Sequence, residues 1–407
     1  MNPIYLDFNA STPLEPLVLE KMQACLKDCY GNASSVHWAG RNAKNRLLKA
    51  RESVASLFNA DSSEILFTSS GTESVNQAIK GSFWAYPFKR HFITTAVEHP
   101  ATLETFKWLE KRGAEVSYLS VNREGGIDLA QLSDSIRPDT NLISIMFANH
   151  ETGVLFPIKE LSEIAKSRGV IFHCDATQAV GKINIDLNEL PIDLLSLSAH
   201  KFYGPKGVGA LIVSPGTVLE PIIHGGGQER NRRGGTESIP QIIGFGVASD
   251  IAKSSIIEVE IRLRELQHYL EAKLEVLDGV IVIGKRMKRV PNTTMIIVEG
   301  VLSESMLLNL DLHGIAVSSG AACSSGKLEP SKVLIAMGYS KTEASTSIRI
   351  SYGKHSTEDE LDKFIKVFSE VCGRLRNHAK VQEFEIRDFN ISNIKQNSKS
   401  SEVNVHV

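Results

Sequence analysis

The stretch NLISIMFANHETGVLFPIKELSEIAKSRGVIFHCDATQAVG, residues 141–181, decides the fold. Asn141–Phe147 reads as a buried strand, Ile158–Ser167 as a helix and Val170–Cys174 as a second buried strand. Apolar strands separated by helices point to a parallel sheet covered on both faces. The pattern continues outward. Upstream, strands are predicted at Glu64–Phe67, His91–Val97 and Val116–Leu119, with helices from about Thr72 and over Ala101–Lys111. Downstream, Asp193–Leu197 (DLLSL) and Gly209–Val213 (GALIV) are further buried strands. Helical spacing also covers Glu15–Asp28 and Gly40–Phe58. The expected class is α/β with a mainly parallel sheet.

The texture changes after about Ile251. A charged helix is predicted over Ser255–Leu277, then strands at Val280–Ile283, Thr293–Val298, Ile315–Ser318 and Ile348–Ser351, with helices at Glu304–Leu310 and Thr357–Arg376. This reads as a smaller α/β domain. Lys380–Val407 is polar and rich in Asn, Ser and Lys, the composition of a flexible tail, with one strand candidate at Phe384–Ile386.

The chain has 407 residues, 42% of them hydrophobic and 23% charged, which excludes wholesale disorder. Lys and Arg number 45 against 47 Asp and Glu, a net charge of −2. Such a chain has no global pull toward nucleic acid or an anionic membrane. No apolar stretch approaches the roughly 20 residues that span a bilayer. The five cysteines, Cys25, Cys29, Cys174, Cys323 and Cys372, are too sparse for a disulfide framework and fit a reducing compartment. Cys25 and Cys29 lie four residues apart in a predicted helix with no second ligand pair nearby, so they read as packing and not as metal ligands. The opening MNPIYLDFNASTP has no basic, apolar or Arg-rich leader, and a cytoplasmic location is expected.

Six positions can carry chemistry. Lys201, in SAHKFYGPKGVGA, follows a buried strand; a lysine desolvated at such a place has a lowered pKa and a nucleophilic amine. A surface lysine in a turn would have neither. Asp175, in HCDATQAVG, ends another strand, where ligands bind in parallel sheets, although Asp before a helix is also a common N-cap. FTSSGTES, Phe67–Ser74, runs from a strand into a helix and offers free N–H groups to an anion; it also fits a plain capping box from Ser70 to Glu73. His99, in AVEHPAT, could stack on an aromatic cofactor and move protons, or simply close a strand. Cys323, in AVSSGAACSSGKLEPS, is flanked by Ser, Ala and Gly with no bulky apolar neighbour, the setting of an accessible thiolate. Arg349, in SIRISYG, is a fork for a carboxylate or one half of a surface ion pair.

Together these residues resemble the cysteine desulfurases of the NifS/IscS kind, fold-type I enzymes that use pyridoxal 5′-phosphate. The resemblance runs from YLDFNASTPLEP at Tyr5–Pro16 to the helix ending near Arg376. GNASSVHWAGRNAK, SSGTESVNQAI, VEHPAT, ANHETGV, HCDATQAVGK, SAHKFYGPKG, GGGQERNRRGGTES and SSGAACSSGKLEPS follow in the family's order. It implies a large cofactor-binding domain over residues 15–255 with a seven-stranded sheet. A small domain of residues 1–14 and 256–379 would carry the Cys323 loop, and residues 380–407 would be a tail.

The resemblance also implies roles. Lys201 would hold the cofactor covalently, Asp175 would pair with its pyridine N–H, Gln178 would bond the phenolic oxygen and His99 would stack on the ring. Thr72, Ser198, His200 and the Gly71–Thr72 backbone would hold the phosphate, joined by Thr236 of a second protomer in a homodimer. Asn149 and Arg349 would bind the substrate carboxylate region, with Asn149 also near the cofactor. Cys323 would take sulfur from L-cysteine as a persulfide, pass it to an acceptor or iron–sulfur scaffold protein, and could hold a transient iron–sulfur cluster. No resident metal, nucleic acid or membrane partner is implied. The long SSGKLEPS segment resembles the NifS/IscS group more than the SufS group. His150, Val75 and the tail depart from the family pattern. A selenocysteine lyase shares these motifs; an aminotransferase would not need Cys323; a non-catalytic sulfur-carrier scaffold would not need Lys201.

Overall fold

A computed structural model describes residues 3–320 and 329–377. Cys323, residues 380–407 and the strand candidate Phe384–Ile386 lie outside the described residues. Twelve strands are described: β1 (Ile4–Tyr5), β2 (Ile65–Thr68), β3 (His91–Thr95), β4 (Glu115–Leu119), β5 (Thr140–Met146), β6 (Ile171–Asp175), β7 (Leu194–Ser198), β8 (Gly209–Val213), β9 (Val280–Val282), β10 (Thr293–Val298), β11 (Ile315–Ala316) and β12 (Ser347–Ser351).

The central sheet has seven strands in the order β2-β8-β7-β6-β5-β3-β4. β8 runs antiparallel to both neighbours; the other pairings are parallel. Alternate side chains along the strands feed two cores. Ile65, Phe67, Ile143, Ile145, Leu195 and Leu197 enter one, and Leu66, Leu142, Leu194 and Leu211 enter the other. Both faces are therefore covered, which is why these strands read as unbroken apolar runs.

The charged helix predicted over Ser255–Leu277 is the second half of a helix running from Ile239 to Glu275, so the chain passes residue 255 without a break. Beyond it, β12, β10 and β9 form an antiparallel sheet, and β1 pairs with β11 in parallel. A separate apolar core lies here, with Leu6, Leu266, Leu270, Ile296, Ile348 and Phe364. The other face of β10 reaches back: Met295 and Ile297, with Val290 and Leu334, belong to the large core. No helix among the described residues is long and apolar enough to cross a membrane.

Candidate active site

The parallel strands point their C-terminal ends at one cleft. It holds about 240 Å³ of water-accessible space and is lined by Ser70, Gly71 and Thr72 after β2, His99 after β3, Met146, Ala148 and His150 at the end of β5, Asp175, Thr177 and Gln178 at the end of β6, and Ser198, His200 and Lys201 after β7. Ligands in open α/β sheets bind at this edge.

The helix Gly71–Ala85 opens on the cleft. Ser70 is its N-cap and its Oγ accepts from the Glu73 N–H at 3.2 Å. The Glu73 carboxylate does not close the expected capping box. It accepts from the Ser69 N–H at 2.9 Å and pairs with Arg233 at 2.9 Å. The N–H groups of Gly71 and Thr72 have no acceptor inside the helix and remain available to an anion.

Lys201 sits half-buried. Its Nζ donates to the carbonyls of Asn9 at 2.6 Å and Ala10 at 3.0 Å. Loss of water lowers its pKa to about 8; Arg349 pushes the same way, and Asp175 and Asp7 oppose. Burial and the neighbouring Lys201 likewise take His200 down to about 4. Asp175 is buried, and its Oδ1 accepts the Thr177 N–H at 3.0 Å.

His99 caps the helix Pro100–Glu110, its Nδ1 accepting the Ala101 N–H at 3.1 Å. That bond needs the Nδ1 lone pair, so the ring's proton sits on Nε2. Desolvation lowers its pKa, Asp175 works against the shift and Lys201 with it. The ring of His150 meets His99 edge-on at 5.2 Å and 79°. Gln178 is clamped: its Nε2 donates to the Asn9 carbonyl at 3.0 Å and its Oε1 accepts from Lys182 Nζ at 2.8 Å.

Eight of the expected residues thus converge: Gly71, Thr72, His99, Asp175, Gln178, Ser198, His200 and Lys201. Asn149 stands behind the wall. Its Nδ2 donates to the Val97 carbonyl at 3.0 Å, and its Oδ1 accepts from the N–H groups of Glu151 at 3.0 Å and Thr152 at 2.9 Å. Arg349, on β12, also lies outside the lining. It pairs with Asp7 at 2.8 Å and donates to the His150 carbonyl at 3.0 Å, while its buried Nε has no partner. Thr236 is exposed and away from the cleft.

Sequence reading missed four groups. Glu98, beside His99, is fully buried; burial raises its pKa to about 8 and its Oε2 has no partner. Asn9 joins Lys201, Gln178 and Lys182, and its Nδ2 reaches Thr293 Oγ1 at 2.9 Å. Lys182 is buried against Asn9 and Gln178, and His150 lines the cleft. The motifs AVEHPAT and ANHETGV contain two of them, but only tertiary contact gives them a place.

The family model for class-V aminotransferases matches residues 4–364. A cysteine desulfurase IscS of Dictyoglomus turgidum is 47% identical over 375 residues, 92% of this chain and 95% of the relative. The chain belongs to the class-V aminotransferase family, among the cysteine desulfurases. Of the solved structures similar to this desulfurase-family chain, a NifS-like protein has a TM-score of 0.86 at 37% identity, covering 91% of this chain and 99% of its own. SspA in complex with cysteine has a TM-score of 0.77 at 36% identity, covering 87% and 100%.

Proposed function

We propose that this chain is a pyridoxal-phosphate-dependent cysteine desulfurase that converts L-cysteine to L-alanine and leaves a persulfide on Cys323. The observation that carries it is the desolvated amine of Lys201 in one cleft with Asp175, His99 and the open start of the helix Gly71–Ala85. The donor set fits the cofactor. The Gly71 and Thr72 N–H groups, Ser198 and His200 would hold the phosphate, Asp175 would pair with the ring nitrogen, Gln178 would bond the phenolic oxygen and His99 would stack on the ring. Lys201, its pKa lowered to about 8 by burial, is the amine that would hold the cofactor. Gly71 itself admits little more, since a Cβ there would lie 3.1 Å from Thr177 Oγ1.

When bound, the cofactor supplies an electron sink for the substrate's Cα and Cβ. Lys201 and His99 move protons at Cα. The Cys323 thiolate attacks the substrate sulfur. A bond forms between the two sulfurs as the substrate's Cβ–Sγ bond breaks, the electron pair left on carbon takes a proton, and alanine departs. Arg349, with its unpartnered Nε, serves the substrate carboxylate region, and Asn149 supports that region from behind the wall through its bonds to Val97, Glu151 and Thr152. Thr236 completes the phosphate site of a second copy in a homodimer. The cleft belongs to a body of residues 15–255, residues 1–14 and 256–379 make up a second, and a cytoplasmic sulfur-acceptor or iron–sulfur scaffold protein receives the persulfide.

The test measures alanine and sulfide release from L-cysteine with a reductant, on wild type and Cys323→Ala, with visible spectra recorded first. The expected result is a yellow, active wild type and a variant that keeps the cofactor band but loses sulfide release. A variant unimpaired on cysteine removes Cys323 as acceptor and favours a lyase or aminotransferase. A wild type that binds no cofactor returns the chain to a non-catalytic carrier.

A further inference from the structure

The segment bearing Cys323 leaves the described structure after Gly320 and returns at Glu329. Both flanks meet one buried carboxyl group. The Oγ of Ser331 donates to Glu151 Oε2, and Ser331 is itself fully buried as the N-cap of the helix Lys332–Ala336, accepting the Leu334 N–H at 3.0 Å. On the other flank, Gly320 packs so closely that a Cβ there would lie 2.0 Å from the same Oε2. Only glycine allows this approach.

Glu151 is held from behind. It lies in the turn that follows β5, where the Asn149 side chain accepts its N–H at 3.0 Å, Asn149 N–H donates to the Val154 carbonyl at 2.8 Å and Gly153 N–H to the Asn149 carbonyl at 2.9 Å. The turn therefore continues the strand whose end forms the cleft wall at Ala148 and His150. Among the described residues no Arg or Lys lies within ion-pair distance of Glu151; His150 Nε2 lies 3.8 Å away. Its side chain is 4% exposed, and burial raises its pKa to about 7. A buried carboxyl without a cation costs more than an apolar side chain of its size, so simple packing does not account for it.

We infer that Glu151 is a positioning residue for sulfur transfer: its carboxyl group hydrogen-bonds Ser331 and packs against Gly320, the two flanks of the Cys323 segment, so tying them to the strand that walls the cleft and setting the reach of Cys323 toward the substrate. This rests on the reading of Cys323 as sulfur acceptor. Glu151 does not line the cleft, so proton movement at Cα does not depend on it.

Two rates on the holoenzyme separate the roles. One is exchange of the Cα proton of L-alanine with solvent deuterium, which uses Lys201 and the cofactor but not Cys323. The other is first-turnover persulfide formation on Cys323 from L-cysteine. Glu151→Ala and Ser331→Ala are expected to slow persulfide formation by about tenfold or more, the cost of misplacing a reacting group, while deuterium exchange stays within about twofold. Glu151→Gln keeps an acceptor for Ser331 and is expected to retain most of the persulfide rate. If Glu151→Ala fails to fold, Ser331→Ala carries the test. The inference is overturned if persulfide formation is unchanged in the folded alanine variants, if both rates fall together, or if Glu151→Gln is as slow as Glu151→Ala. Failure of the underlying reading is a different result: wild type itself would form no persulfide on Cys323.

Discussion

His173 lies inside a strand of the central sheet and His99 just past the end of another, and their surroundings are opposite. His173, inside β6, bridges three strands: Nδ1 is 2.8 Å from Ser144 Oγ on β5 and Nε2 is 2.8 Å from Ser196 Oγ on β7. Burial takes its pKa to about 4, and neither ring nitrogen is left for a ligand. His99, just past the end of β3, lines the cleft with Nδ1 matched by the Ala101 N–H, while Nε2 has no hydrogen-bond partner among the described residues. The carboxylates repeat the contrast. Glu271 is matched by both nitrogens of Arg289 at 2.7 and 2.8 Å and by Thr294 at 2.9 Å, whereas the protein contact recorded for the Asp175 carboxylate is the Thr177 N–H at 3.0 Å. Burial alone does not mark a chemical group. Incomplete matching inside the protein, at the C-terminal edge of a parallel sheet, does.

The largest effect expected from this contrast is at that edge. Lys201→Ala should lower turnover on L-cysteine on the order of 10³-fold or more and abolish the visible band of a covalently held cofactor. A variant that keeps the band would place the reactive amine elsewhere. The matched interior should respond in the other way. His173→Phe leaves the Ser144 and Ser196 hydroxyls buried without partners, a loss of about 2 kcal/mol or more of stability measured by urea unfolding. Activity per folded molecule should be unchanged; a collapse of turnover in folded protein would make His173 part of the chemistry.

The sequence stated the edge better than the interior. In a doubly covered parallel sheet each strand is an apolar run, so its end is visible, and Asp175, Ser198 and Lys201 stand just past such ends. The helix Ile158–Ser167 and the strands Gly209–Val213 and Thr293–Val298 fall on their predicted bounds. The helix Ile239–Glu275 was legible only in its charged half. Gly244 and Gly246 argue against a helix in its first half, but they serve close packing: a Cβ at Gly246 would lie 2.8 Å from Ala50 Cα, and one at Gly244 2.7 Å from Met22 Sδ. Asn9, Glu98, Glu151 and Lys182 carried no local signal. Each has a partner far along the chain, Lys201 for Asn9, Met146 for Glu98 and Ser331 for Glu151, and a hydrogen bond between Lys182 and Asn9, 173 residues apart, leaves no spacing to read.

A pH series sharpens the comparison at Lys201. Its pKa is depressed from 10.5 to about 8 by burial, so the reactive neutral amine is a minority below pH 8 and dominant above it. The rate at which apoprotein captures pyridoxal phosphate should therefore rise by about tenfold per pH unit up to pH 8 and level off above it. A rise continuing toward pH 10 would mean that the cleft does not desolvate the amine.

The smallest effect is expected at His150, which lies between the two kinds of surroundings. It lines the cleft, yet its Nδ1 is buried without a partner, and burial together with His99, Arg349 and Lys201 holds its pKa well below the ordinary value. With its pKa held well below the ordinary histidine value it is neutral in the pH range of the assay, so His150→Asn changes no charge. What is lost is the edge-on contact with His99 at 5.2 Å, worth about 0.5–1.5 kcal/mol for an aromatic pair. If that contact steadies His99 in the transition state, turnover should fall by about two- to tenfold, with cofactor binding intact and the pH dependence between 7 and 9 unaltered. A shift of that profile by about one unit would show instead that His150 takes up a proton during turnover, and would move it from the matched interior to the reacting edge.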